Sequence, residues 1–199
     1  MAKITAELVK ALREKSGAGI MECKRALEET GGDLDKAEAI LKERGQAAAA
    51  KRAGRDAREG QVASYIHIGG KIGVLIEVNC ETDFVARTDE FQKLVRDIAM
   101  MVAGLRPIYV SVDSIPEADL EAKRAELLSS DSLAGKPEAI HGQIVDGQLK
   151  KWFSEVVLLE QPFRDQDITV GQLVTAAIAK TGENMKVRRF VRFELGEEI

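Results

Sequence analysis

Gln61-Val62-Ala63-Ser64-Tyr65-Ile66-His67-Ile68-Gly69-Gly70-Lys71-Ile72-Gly73-Val74-Leu75-Ile76-Glu77-Val78 is the stretch that decides the fold. Val62, Ser64, Ile66 and Ile68 alternate with Ala63, Tyr65 and His67. After Gly69-Gly70 the alternation resumes through Ile72, Val74, Ile76 and Val78. Successive strand side chains point to opposite faces. Two alternating runs joined by glycines therefore predict an antiparallel hairpin. The chain is helical in pattern before this stretch and again after it. The expected class is α+β, with a small antiparallel sheet packed by helices.

Upstream, residues 1–45 predict a three-helix domain. Thr5 caps the first helix, with Leu8, Val9 and Leu12 on one face and Gly17 at its end. Ile20, Cys23 and Leu27 form a stripe on the second, which stops at Gly31-Gly32. Asp33 caps the third, with Leu34, Ala37, Ile40 and Leu41 inward and Gly45 past its end. Three short helices make a core too small for a cleft, which suits a docking unit. Residues 46–60 change character: Ala47 to Ala50 favour helix, while Lys51, Arg52, Arg55 and Arg58 make the stretch basic. This is the pattern of a solvated linker helix. No aromatics interleave with its cations, so base stacking on RNA is not expected.

Downstream, residues 61–199 form the α+β core. Thr88 caps a helix with Phe91, Leu94, Val95, Ile98 and Val102 on its buried side, and Pro107 ends that region. Ile108 to Val112 suggests a short strand. Pro116 opens a helix through Leu128, and Ser129-Ser130-Asp131-Ser132 with Gly135 makes a polar break. Pro137 starts a helical region reaching Leu159, interrupted near Gly147. Thr169 caps a last helix that Gly182 ends. Val187, Arg189, Val191 and Phe193 then alternate with Arg188, Phe190 and Arg192, as expected of a third strand lying at an edge or an interface.

The composition, 31% charged and 45% hydrophobic over 199 residues, is that of a soluble globular protein. No apolar run approaches the ~20 residues that span a bilayer, so no membrane partner is expected. Met1-Ala2-Lys3-Ile4-Thr5 has no apolar core and no cleavage site, so no secretion signal is expected. Cys23 and Cys80 fit neither a zinc spacing nor a disulfide framework. Free thiols in a reducing cytoplasm are the simplest account. A net charge of -4 argues against nucleic acid as the main partner.

Enzymatic chemistry needs convergent reactive groups. Cys80, Glu81 and Asp83 are close in sequence, with His67 on the neighbouring strand. The hairpin register pairs His67 with residue 72, which leaves Cys80 about 26 Å further along the strand axis. That is outside hydrogen-bond reach. His141 has no acidic or thiol neighbour at a ligand spacing. No phosphate-binding, dinucleotide-binding, zinc or calcium motif occurs, so no cofactor and no catalytic residue is expected.

Asn79-Cys80-Glu81-Thr82-Asp83-Phe84-Val85-Ala86-Arg87 places a large aromatic where a loop should be. Function concentrates on loops held by a rigid scaffold. From the residues alone, Phe84 reads either as a core plug beneath the strand or as a probe for another surface.

Three segments together resemble the motifs of one family. Gly17-Ala18-Gly19-Ile20-Met21-Glu22-Cys23-Lys24-Arg25-Ala26-Leu27 resembles the first motif of the bacterial elongation factor Ts family, and Asn79 to Arg87 resembles its second. Gly182-Glu183-Asn184 with Arg188-Arg189-Phe190 resembles the C-terminal pattern. The resemblance runs from Lys10 to Leu195, in the length of the family's short form.

It implies a ubiquitin-associated-like N-terminal domain and guanine nucleotide exchange on elongation factor Tu, with Mg2+ displaced and GDP released so that GTP can bind. It implies that Thr82, Asp83, Phe84 and Val85 intrude beside the partner's Mg2+ site, and that Arg13, Ile20 and Met21 bind the partner elsewhere. It further implies a homodimer serving two GTPase molecules in a 2:2 complex. The rival readings are a general protein-binding adaptor built on the three-helix domain and a small enzyme using Cys80.

Overall fold

The computed structural model describes residues 4–130, 133, 135–164 and 166–198. Met1 to Lys3, and Asp131 and Ser132 of the expected polar break, lie outside the described residues. The elements run α1 (Ala6–Ser16), α2 (Ile20–Glu29), α3 (Leu34–Arg52), β1 (Glu59–Ile66), β2 (Ile72–Cys80), α4 (Asp83–Ala86), α5 (Asp89–Leu105), α6 (Glu117–Leu128), α7 (His141–Val156), α8 (Val170–Thr181) and β3 (Met185–Glu194). The strands form one sheet in the order β1-β2-β3. The class is α+β, as the alternation around Gly69-Gly70 predicts. The chain divides into two compact units: Met1–Gln61 with Val78–Leu94 and Leu173–Lys186, and Val62–Glu77 with Val95–Gln172 and Val187–Ile199.

In the first unit, α1, α2 and α3 enclose Leu12, Cys23, Ala26, Leu27, Ala37 and Leu41. Local chemistry sets the helix ends. Thr5 Oγ1 accepts the Leu8 N–H at 3.3 Å and Asp33 Oδ1 accepts the Lys36 N–H at 3.1 Å. Such caps satisfy backbone donors that the first helical turn leaves without partners. Ile20 leaves the stripe expected for it and faces solvent, while Cys23 and Leu27 are fully buried.

The expected stop at Gly45 is absent. Helix α3 continues as one element to Arg52, so no separate linker helix begins at residue 46. The reason is long-range packing. A Cβ built on Gly45 would sit 3.3 Å from Ala179 Cβ of α8, so this glycine permits a close helix approach. Gly60 has a stricter role. Its φ is +133°, and an added Cβ would fall 2.2 Å from the Val78 carbonyl oxygen, so only glycine fits where β1 begins.

Thr88 Oγ1 accepts the Phe91 N–H at 3.3 Å and starts α5. Phe91, Leu94, Val95, Ile98 and Val102 of α5 are buried, as its periodicity predicts. Burial of a side chain like Phe91 contributes about 1.5–3 kcal/mol.

In the second unit, the hairpin closes with His67 N–H donating to the Ile72 carbonyl at 2.9 Å. Gly69 and Gly70 both have positive φ, which only glycine adopts at no steric cost. α6 and α7 pack around Leu133, Val145 and Leu149, with Trp152 and Phe153 against them. α7 passes through Gly147 without interruption. The strand expected over Ile108 to Val112 reduces to a single parallel bridge between Tyr109 and Val157. Thr169 Oγ1 accepts the Gln172 N–H at 3.2 Å and starts α8.

The sheet buries only one side of its central strand. Val74, Ile76, Val78 and Cys80 are buried, whereas Val62, Ile66, Leu75, Val191 and Phe193 are exposed. Among the described residues no helix is long and apolar enough to cross a membrane.

Candidate functional site

The sequence from β2 to α5 builds a tight turn around Phe84. Thr82 stands in extended conformation and caps the four-residue helix α4, its Oγ1 accepting the Val85 N–H at 3.3 Å. Thr88 Oγ1 donates to the Val85 carbonyl at 2.8 Å and so ties α4 to the start of α5. Gln92 Nε2 donates to the Ala86 carbonyl at 2.6 Å.

Within this frame alternate side chains separate. Val85 is 6% exposed and Ala86 8%, whereas Phe84 is 78% exposed. The core-plug reading of Phe84 is therefore excluded, and Val85 is the residue that anchors the turn from below. Of the four residues expected to intrude, Val85 is the one whose side chain is buried. Asp83 is exposed at the rim and pairs with Arg87 at 2.8 Å, one helical turn on.

The turn is also held from a distant part of the chain. Thr82 N–H donates to Glu183 Oε2 at 3.0 Å, and Thr82 Oγ1 donates to Glu183 Oε1 at 2.6 Å. In return, the Asn184 N–H donates to Glu81 Oε1 at 2.6 Å. Asn184, fully buried, donates from Nδ2 to the carbonyls of Ala53 and Arg55 at 3.3 and 2.7 Å. In the sequence Glu183 and Asn184 stand out only as part of the C-terminal pattern. Their place after Gly182, which ends α8 at φ +78°, was the available signal, but the partner lies 101 residues away.

Cys80 is fully buried, and its Sγ donates to the Thr82 carbonyl at 3.1 Å. Burial, and then the negative charge of Glu183, push its thiol up to about 11. A thiol so raised is protonated at neutral pH, and the thiolate is the nucleophilic form. His67 Nδ1 shares a hydrogen bond with the Tyr65 hydroxyl at 3.0 Å. The enzyme reading built on Cys80 thus lacks both an activated thiol and a base bonded to it. Among the described residues no group of three or more His, Cys, Asp or Glu side chains is placed to hold a metal ion.

The three remaining predicted residues lie on the helical end of the same unit. Ile20 (55% exposed) and Met21 (63%) stand at the first turn of α2. Ile20 and Arg13 line an open cleft of ≈ 420 Å³ with Ile4, Val9, Lys10 and Lys24, and Met21 lies outside that lining. The floor is aliphatic and the rim cationic.

These features define a class: an α+β protein that offers exposed apolar side chains on braced turns and helix starts, the surface chemistry of macromolecular contact. A family model described as Elongation factor TS matches residues 3–197. The chain belongs to the elongation factor Ts family. It is 57% identical to an elongation factor Ts of Heliobacterium modesticaldum, over 98% of this chain and 92% of the relative. It is also 57% identical to one of Carboxydothermus hydrogenoformans, over 98% and 91%. The same identity holds to one of a Cyanothece species, over 100% of this chain but 76% of that longer protein.

Proposed function

We infer that this chain promotes GDP release from elongation factor Tu through Phe84. Guanine nucleotide exchange on that GTPase is the role of the family, and membership favours exchange over the adaptor reading. The observation that carries the residue assignment is the exposure of Phe84 on a turn whose neighbours Val85 and Ala86 are buried. A large apolar side chain held out in water on a braced turn is costly unless it meets a partner.

A GTPase holds GDP through phosphate-binding amides and a Mg2+ that bridges phosphate to protein oxygens. Mg2+ requires near-ideal octahedral geometry, so a small displacement of its supports weakens it. Phe84 wedges between side chains beside that site. Asp83 exchanges Arg87 for polar groups on the partner's rim, Thr82 caps the turn, and Val85 anchors it. The factor performs no chemistry on the nucleotide.

Arg13, Ile20 and Met21 supply a second contact: an aliphatic patch with a cationic rim, suited to an amphipathic helix carrying acids. In this reading residues 1–45 dock, 46–60 connect, and 61–199 carry the wedge and the dimer contact. Docking makes the wedge contact effectively intramolecular.

Linkage fixes the energy required. If the factor weakens GDP binding, GDP weakens the factor equally. A ~1000-fold weakening corresponds to roughly 4 kcal/mol. One anchored aromatic supplies about half of that, since truncating such a residue commonly costs 2 kcal/mol or more.

The exposed sheet face supports a homodimer, two copies serving two GTPases in the cytoplasm. Val62, Ile66, Leu75, Val191 and Phe193 lie exposed on strands whose alternate residues include the buried core, and a second copy of the same face is the occupant that self-complementarity favours.

Stopped-flow release of fluorescent GDP from elongation factor Tu tests the reading. Acceleration on adding this protein is expected, and an unchanged rate contradicts it.

A further inference from the structure

We propose that Glu183 is a positioning residue for nucleotide exchange, the outer half of a reciprocal clasp that fixes the direction in which Phe84 points. This rests on the reading of Phe84 as the wedge.

The clasp is an exchange of acids between two chain corners. The corner after β2 offers the Glu81 carboxylate and takes up Glu183. The corner after α8 offers the Glu183 carboxylate and has its Asn184 N–H taken by Glu81. Each carboxylate accepts a backbone N–H of the other corner, and Glu183 takes the Thr82 hydroxyl as well. Hydrogen bonds with one ionised partner are shorter and roughly twice as strong as neutral ones.

Thr82 is the hinge point of the wedge. Its Oγ1 donates to Glu183 while accepting from Val85 N–H, so a single hydroxyl links the clasp to the first turn of α4. With its proton committed to Glu183, the oxygen lone pair is directed at Val85. Phe84 sits between those two bonded residues. Helix α4 has only four residues, too few to hold its own geometry by internal bonds. The clasp supplies that rigidity from outside. Asn184 extends it to the carbonyls of Ala53 and Arg55 just beyond α3, so the wedge is fixed to the same helical framework that carries Ile20 and Met21. A contact group held in place before binding loses less conformational freedom on binding.

The test is a double-mutant cycle on GDP release using the full chain and its partner GTPase. Glu183→Gln keeps the shape, leaves one carbonyl acceptor and removes the charge. It is expected to lower the maximal release rate by roughly 5- to 10-fold, the order of one net hydrogen bond, with the half-saturating concentration little changed. Combined with Phe84→Ala, it is expected to add no further slowing, because a clasp that acts by aiming Phe84 has nothing left to aim. Thr82→Val, which also loses the cap on Val85, should slow release at least as much as Glu183→Gln, and Thr82→Ser, which restores both bonds of the hydroxyl, should recover the wild-type rate. Thermal melting of each variant separates these effects from unfolding.

A wild-type rate for both Glu183→Gln and Thr82→Val, with Phe84→Ala still slow, overturns the clasp and leaves the wedge standing. Equal slowing by Glu183→Gln with and without Phe84 also overturns it. An unaltered rate for Phe84→Ala alone removes the wedge reading on which the clasp depends.

Discussion

The turn at Phe84 and the outer face of the sheet both expose apolar side chains, and they do so in opposite ways. At the turn one aromatic stands between an ion-paired aspartate and a buried valine, and three hydrogen bonds from Glu81 and Thr82 to Glu183 and Asn184 hold the chain beside it. On the sheet several aliphatic and aromatic side chains spread over three strands. A single braced projection suits entry into a partner's structure. A broad flat face suits burial of area against a matching surface, where many weak contacts sum. The lesson is that exposed hydrophobicity carries different meanings according to how its backbone is held.

The largest expected effect tests the sheet. Phe193→Glu places two charges in the proposed interface, one from each copy, and unpaired buried charges are costly. Sedimentation velocity should show dimer association weakened by about 1000-fold, roughly 4 kcal/mol. Retention of the dimer would move its contact off the sheet and dissolve the contrast. The monomeric variant is expected to release GDP through Phe84 at a measurable rate, since the wedge belongs to one chain.

A smaller effect is expected at the second contact. Ile20→Ala with Met21→Ala should raise the concentration of factor needed for half-maximal GDP release by about 10-fold, the scale of lost peripheral apolar contacts. The maximal rate should hold. A fall in maximal rate at unchanged half-saturation would instead make these residues part of the wedge mechanism.

The smallest effect concerns Cys80 beneath the turn. Its folded thiol lies at about 11 against an ordinary 9.0, so the fold favours the protonated form. That contribution is fully present below pH 9.0 and is lost as pH rises toward about 11. Denaturation followed across this window should show an alkaline loss of stability that Cys80→Ser lacks. The serine variant should release GDP at the wild-type rate at neutral pH. A dead Cys80→Ser protein that remains folded would revive a chemical role for the thiol.

Much of this architecture was legible in the sequence because its signals are local. Thr5, Asp33, Thr88 and Thr169 start helices through bonds to residues three positions on. The hairpin follows from period-two alternation and the glycines between its strands, and the buried side of α5 follows from helical spacing. What escaped depends on distant partners. Gly45 reads as a helix stop until Ala179 is seen against it. Gly147 is different: nothing lies within 4 Å of a Cβ built on it, and α7 runs through it because one glycine inside a helix is tolerated.

The site divides along the same line. Phe84 was conspicuous in the sequence, but its exposure was undecided, because nothing local chooses between plug and probe. Val85 belongs to the stretch expected to intrude, and its side chain is buried beneath the turn. The role of Glu183 was invisible, since its bonds to Thr82 cross 101 residues. The family resemblance located the motif, and only the three-dimensional packing separated the residue that projects from those that hold it.

The central claim, that Phe84 acts mechanically on a partner's nucleotide site, is tested most directly by stopped-flow GDP release from elongation factor Tu with saturating wild-type or Phe84→Ala protein. The account predicts a maximal rate lower by about 30-fold, equivalent to roughly 2 kcal/mol, with an unchanged circular dichroism spectrum. A Phe84→Ala protein that releases GDP as fast as wild type would contradict it.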